Sequence, residues 1–215
     1  MTLFARGVGS PINVLCLGAH ADDIEIGAGG TLLTLIERKQ VSNLTWVVAC
    51  AQDERRTEAE RSARTIAGDT PLLCHFGEFP DSYLPYRAHD LKDWLRSVAL
   101  QCRPDVIFTH YDDDRHQDHR VISRLTWNIF RGPQILEYEI PKWDGDLSRP
   151  NGYVPLSEAI LDRKLKLLHE CFHSQAVKPW FDKRTFAGLA RLRGLECHAD
   201  EGYAEAFHIR KIKLV

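Results

Sequence analysis

The strongest constraint on this chain lies close to its N-terminus. An apolar run, Ile12-Asn13-Val14-Leu15-Cys16-Leu17, leads into Gly18-Ala19-His20-Ala21-Asp22-Asp23-Ile24-Glu25 and then Gly27-Ala28-Gly29-Gly30. A short apolar run bounded by glycine reads as a strand buried on both faces. A helix is expected from about 28 to 39, with Leu32, Leu33, Leu35 and Ile36 on one side. One histidine and two adjacent aspartates therefore occupy a strand-to-helix turn.

The same unit recurs along the chain. The run Leu44-Thr45-Trp46-Val47-Val48-Ala49-Cys50 reads as strand two, followed by a charged helix to Ala67 with Asp53 as its cap and Gly68 beyond its end. Further strands are expected over 72–76, 105–109 and 134–140, with helices over about 88–102 and 118–130. Residues 141–155 hold Pro141, Gly145, Pro150, Gly152 and Pro155, and read as a long loop. Ser157 is placed to cap a helix running to about 170. Another helix over 182–193 and a late strand over 203–209 complete the chain. Strand alternating with helix predicts a three-layer α/β fold with a mainly parallel sheet. No repeat or linker interrupts residues 1–215, so one domain is expected.

In such sheets ligands bind beyond the carboxyl ends of the strands, where strand order reverses. The common order 3-2-1-4-5 makes strands one and four neighbours at that reversal. Strand four is followed by His110-Tyr111-Asp112-Asp113-Asp114-Arg115-His116-Gln117-Asp118-His119. The two turns, about 90 residues apart, are thus expected to meet in one crevice. A catalytic zinc takes three ligands from histidine and carboxylate and keeps a position for water. His20, one of Asp22 or Asp23, and one of His116 or His119 supply such a set. The remaining aspartate is then free to act as base, and the remaining histidine to face a developing oxyanion. Asp118 suits the fixing of an imidazole tautomer. Asp112-Asp113-Asp114 reads as a solvated acidic loop.

Ala19-His20-Ala21-Asp22-Asp23 resembles the AHPDD motif of the PIG-L/LmbE-like zinc deacetylases, and His116-Gln117-Asp118-His119 resembles their HPDH motif. Arg55-Arg56-Thr57-Glu58 is similar to the R-x-x-E that opens the family's second helix, and Phe79-Pro80-Asp81 to its aspartate loop. Ser174-Gln175 and Tyr203-Ala204-Glu205-Ala206-Phe207 resemble its C-terminal SQ and AEAF elements. The resemblance implies a Rossmann-like α/β fold and removal of N-acetyl groups, mostly from amino sugars in conjugates. Carried over by motif position, it implies His20, Asp23 and His119 as zinc ligands and Asp22 as general base. It also implies that His116 stabilises the oxyanion or protonates the amine; in the mechanism expected from this, a protonated His116 holds the oxyanion and either Asp22 or His116 protonates the leaving amine. Ala21 and Gln117 stand where the family pattern often has proline.

An N-acetylated sugar is the expected partner. Tyr138, Trp143 and Trp180 are expected beside the crevice as stacking faces, with Arg55 or Arg56 and Asp81 binding hydroxyls or a charged aglycone. A net charge of −2 provides no basic field for nucleic acid. No run of about 18 apolar residues suggests a membrane span, and the first residues lack the pattern of a secretory leader. The six cysteines form no CxxC pair, which fits reduced thiols in a cytoplasmic protein. A homo-oligomer is slightly favoured over a monomer. Three rival readings are a metallohydrolase of another amide or ester, a non-catalytic sugar- or nucleotide-binding protein, and a nucleotide-dependent oxidoreductase. The last requires G-x-G-x-x-G after strand one, where this chain has His20 and two aspartates.

Overall fold

A computed structural model describes residues 10–212. The reading of the extreme N-terminus as lacking a leader concerns residues outside that range. The first strand, β1 (Ile12–His20), feeds α1 (Asp23–Glu37), and β2 (Val41–Cys50) feeds α2 (Asp53–Ala67). Next come β3 (Leu72–Phe76), α3 (Ala88–Ala99), β4 (Val106–His110) and α4 (Gln117–Ile129). The remaining elements are β5 (Gln134–Tyr138), β6 (Gly152–Leu156), α5 (Glu158–Cys171), α6 (Lys183–Glu196) and β7 (Tyr203–His208). The described residues form a seven-stranded sheet in the order β3-β2-β1-β4-β5-β7-β6. The first five of these positions are parallel, and β7 runs antiparallel to both β5 and β6. This is the expected three-layer α/β fold.

The sheet is buried on both faces because its central strands carry apolar side chains on both sides along most of their length. Leu15, Leu17, Val47 and Ile107 pack with Leu91, Leu95 and Ile122 of α3 and α4 on one side. Val14, Cys16, Trp46 and Phe108 pack with Ile24, Leu32 and Phe172 on the other. No described helix is long and apolar enough to cross a membrane.

Three local differences from the sequence reading have physical causes. Helix α1 starts at Asp23, five residues earlier than expected, and runs through Gly27, Gly29 and Gly30. Glycine normally weakens a helix interior, yet here it permits close approach. A Cβ at Gly27 would collide with the Tyr138 ring, and one at Gly30 would lie 2.6 Å from Leu156 and 3.0 Å from Glu205. The end of the expected loop over 141–155 lies in β6, whose Gly152 and Pro155 disguise it; proline is tolerated because β6 is an edge strand. Asp53 is the first residue of α2, with φ of 47°, and Gln52 takes the cap position without a side-chain bond. Ser157 does cap α5, accepting from Ile160 N at 3.3 Å.

Gly27→Ala is expected to destabilise the protein by about 1–3 kcal/mol, the usual cost of overpacking a filled interior. Urea unfolding measures it, and an unchanged midpoint would show that Tyr138 can move aside.

Candidate active site

Strand β1 ends at His20 beside β4, which ends at His110. Asp22 and Asp23 open α1, while His116, Asp118 and His119 open α4. Both turns therefore border one cavity of about 440 Å³ that includes His20, Asp22, Asp23, Asp81, His116 and His119 in its lining.

Asp23 lies at the centre. Its Oδ2 accepts from the His20 backbone N–H at 2.7 Å and lies 3.4 Å from His20 Nδ1 and 3.1 Å from His110 Nε2. Its Oδ1 lies 3.5 Å from His119 Nε2, which is itself 3.3 Å from His20 Nδ1. Burial alone would push the Asp23 carboxyl up, but His119, His110 and His20 hold it well below the usual carboxylate range.

Carboxylates orient both imidazoles from behind. His20 Nε2 faces Asp81 Oδ1 at 3.0 Å and Asp118 Oδ2 at 3.3 Å. His119 Nδ1 faces Asp114 Oδ2 at 3.0 Å. An ionised carboxylate only accepts, so these contacts leave a lone pair on His20 Nδ1 and another on His119 Nε2. Both lone pairs point at the space beside Asp23. Asp118 is in turn held by the Ser82 and Leu84 N–H groups at 2.7 and 3.1 Å. Asp114 is buried, accepts from His116 N at 2.7 Å and from Lys142 Nζ at 3.0 Å. The solvated-loop reading therefore fails for Asp114.

The spacing fits a tetrahedral divalent metal. Ligand atoms about 2.1 Å from such an ion lie about 3.4 Å from one another; His20 Nδ1 and His119 Nε2 are 3.3 Å apart, with Asp23 Oδ2 3.4 Å from the first and Asp23 Oδ1 3.5 Å from the second. Ligand atoms of His20, His116 and His119 also lie within 4.8 Å of one another, as do those of Asp23, His110 and His119. Without a cation, burial would lower the two imidazoles, but Asp23 with Asp118 or Asp114 raises both above their ordinary values. The site thus draws positive charge.

Asp22 has a different environment from its neighbour. Its Oδ1 accepts from Arg55 at 2.6 Å, whereas its buried Oδ2 has no partner. Burial raises the Asp22 carboxyl above its ordinary value, against the pull of Arg55. Arg55 is itself fixed by Glu58 at 2.8 Å and Ser174 Oγ at 3.1 Å, and Ser174 donates twice to Glu58. The R-x-x-E and SQ elements are therefore the scaffold of Asp22. His116 Nδ1 accepts from Asp118 N at 3.3 Å, which leaves Nε2 to carry the ring proton. Burial, then the charges of His119 and His20, lower His116 below its ordinary value, so it is neutral near pH 7. The expectation of a protonated His116 is corrected accordingly.

Two further expectations fail. Arg56 does not line the cavity: its guanidinium sits over the Phe76 ring and 3.8 Å from Glu78. Tyr138 is wholly buried, donating to Leu17 O at 2.7 Å. Trp143 and Trp180 do line the cavity, with Trp143 68% exposed. The sequence reading missed His110, which burial and the charge of His119 lower to about 4 and which stacks on His119 at 3.9 Å. Its position at the end of the strand beside β1 was the available signal.

Residues 15–130 match the family model described as "PIG-L: GlcNAc-PI de-N-acetylase". The chain belongs to the PIG-L family. It is 30% identical over 141 residues to the uncharacterized deacetylase YaiS of Escherichia coli, covering 60% of this chain and 74% of that protein. Its fold is similar to that of a Thermus thermophilus protein (TM-score 0.72, 23% identity, 95% and 97% coverage). It is equally similar to N,N'-diacetylchitobiose deacetylase from Pyrococcus horikoshii (TM-score 0.72, 21% identity, 96% and 88% coverage). A 4-carboxy-2-hydroxymuconate hydratase from Pseudomonas putida also shares the fold (TM-score 0.67, 17% identity, 95% and 98% coverage). Family membership supports deacetylation, a hydrolysis; the fold by itself also hosts a hydratase.

Asp114→Asn and Asp118→Asn are each expected to lower affinity for zinc by about 10–100-fold, the usual effect of removing a carboxylate behind a metal-binding imidazole. Calorimetric titration of chelator-treated protein reads this directly. Wild-type affinity in both variants would show that the imidazoles need no orienting partner.

Proposed function

We propose that this protein is a zinc-dependent N-deacetylase acting on an N-acetylated amino sugar or its conjugate, releasing acetate and a free amine. The observation that carries the reading is the pairing of a three-donor cluster with an unpartnered carboxylate oxygen, Asp22 Oδ2, in one cavity. His20 Nδ1, Asp23 and His119 Nε2 would hold the metal. Zinc bound there would supply Lewis acidity to the acyl oxygen and the attacking water.

The chain's own groups account for proton movement. Asp22 takes a proton on Oδ2 from the water that attacks the acyl carbon. Arg55 keeps Oδ1 fixed, which leaves Oδ2 as the carboxylate oxygen without a partner in a residue that lines the cavity. His116 donates from Nε2 to the oxygen of the tetrahedral adduct, as a neutral imidazole. Collapse breaks the C–N bond, and the proton held by Asp22 goes to the amine, while His116 keeps its Nε2 proton and only donates a hydrogen bond. Trp143 and Trp180 line the same cavity and offer faces for a sugar ring. Every described strand joins one sheet, which supports a single domain over 1–215. Six free cysteines support a reducing, cytoplasmic location.

The comparison of the two aspartates is the sharpest test. Asp22→Asn is expected to keep its zinc while turnover falls by about 10²–10⁴-fold, the contribution of a positioned proton acceptor. Asp23→Asn is expected to lose zinc and to recover partly with excess metal. Metal stoichiometry measured alongside turnover separates the two, and the opposite pattern would exchange the roles.

A pH profile gives a second check. Asp22 must be ionised to accept a proton, so turnover falls as pH drops through its raised pKa, earlier than for an ordinary carboxylate. Arg55 pulls that pKa down. Arg55→Met is therefore expected to move the acid limb of the profile to higher pH; an unmoved limb would remove Asp22 as the titrating base. A panel of N-acetyl sugars, nucleotide sugars and thiol-sugar conjugates, scored by acetate release, addresses substrate. Release from none of them would overturn the amino-sugar reading and favour another amide, an ester, or a hydration like that of the hydratase neighbour.

A further inference from the structure

A second group of donors occupies the far side of the His20 ring. His20 and Cys50 are register partners at the ends of β1 and β2, which sets the thiol beside the imidazole. Ligand atoms of His20, Cys50 and Asp118 lie within 4.8 Å of one another. The nitrogen on this side is Nε2, 3.3 Å from Asp118 Oδ2 and 3.0 Å from Asp81 Oδ1. Cys50 borders the cavity and is only 7% exposed, and no hydrogen bond to its thiol is found among the described residues. The loop bearing Asp81 is anchored on both flanks, by a bridge between Cys50 and Glu78 and by the Ser82 N–H on Asp118.

We propose that His20, Cys50 and Asp118, with Asp81 closing the set, form a second and inhibitory site for a thiophilic divalent cation such as cadmium or excess zinc. One nitrogen, one sulfur and two carboxylate oxygens suit these ions and disfavour magnesium or calcium, which take oxygen donors. The donors come from four segments: the ends of β1 and β2, the 78–82 loop and the start of α4. Separations of up to 4.8 Å must contract to roughly 3.4–3.7 Å for tetrahedral coordination. Rotation of the Cys50 side chain and movement of Asp81, whose side chain is 68% exposed, supply that contraction. Binding at Nε2 releases the Cys50 thiol proton to solvent and shifts the His20 ring proton from Nε2 to Nδ1. His20 is common to both clusters, so a cation on the Nε2 side withdraws it from the arrangement facing Asp23 and His119. Inhibition rests on the role proposed above for His20; cation binding at Cys50 does not.

The test titrates cadmium into protein already holding one equivalent of zinc. It follows the ultraviolet cadmium–thiolate charge-transfer band and, in parallel, acetate release. Wild type is expected to develop the band with one cadmium per chain and to lose activity over the same range. Cys50→Ser is expected to lack the band and to need roughly tenfold or more cadmium for half-inhibition, since loss even of an outer-shell partner costs about 10–100-fold in affinity. Asp81→Ala is expected to retain the band at weakened affinity. A wild type without the band, a band persisting in Cys50→Ser, or equal inhibition of both proteins would each overturn the proposal. Cys50→Ala, checked by circular dichroism, replaces the serine variant if that variant does not fold. The band is independent of turnover, so failure of the deacetylase reading leaves this result interpretable.

Discussion

A single buried carboxylate, Asp23, organises the rest of the site. It sits within 3.5 Å of ring nitrogens from His20, His110 and His119. A carboxylate removed from water is strongly disfavoured unless cationic or donor groups meet it. Here the His20 backbone N–H donates to it, and the imidazoles of His20 and His119, both raised above their ordinary values, bring positive charge from β1 and α4, while His110 of β4 packs against the same oxygen. The carboxylate is therefore tolerable only when β1 and β4 are neighbours, and that adjacency is the reversal point of the sheet. Asp22, the next residue in the chain, points to Arg55 of α2 and keeps one oxygen free. Two identical side chains thus acquire opposite acidities, Asp23 through its imidazole partners and Asp22 through burial.

The surrounding residues serve this division. Asp118 and Asp114 hold the rear nitrogens of His20 and His119, and Lys142 offsets the charge on Asp114. Lys142 also bonds Asp146 at 2.5 Å, which ties the loop carrying Trp143 to the turn carrying His119. On the other flank Glu58 and Ser174 lock Arg55. Glu205 accepts from Gly30 N and Thr31 N and pairs with Lys164, so α1 is gripped along its glycine-lined face. The small residues of that helix let it pack close enough to the sheet for Asp22 and Asp23 to reach the crevice.

The fold does not choose the reaction. A deacetylase and a hydratase both share it with this chain. The chemistry follows from which side chains the two turns carry. In this chain they carry an aspartate with a free oxygen, a neutral histidine able to donate, and a cluster of donors at metal-ligand spacing.

Much of this was legible in the residues. Apolar runs that pack both faces of a sheet, punctuated by helical periodicity, determined the α/β class, and the order common to such sheets then matched that of the central strands. The two His/Asp turns followed directly, because strands with such patterns end where polar residues begin. Tertiary structure alone decided the rest. Whether Asp114 is solvated or buried depends on Lys142 and His119, which approach it from other segments. Whether Arg55 or Arg56 reaches the cavity depends on the rotation of α2 against the sheet, and adjacent helical residues point about 100° apart. Tyr138 was drawn into the core by the space above Gly27, and β6 formed because β7 offered it an edge. Local sequence specifies the period of each element; the partners of a charge, and hence its acidity, exist only once distant segments have packed.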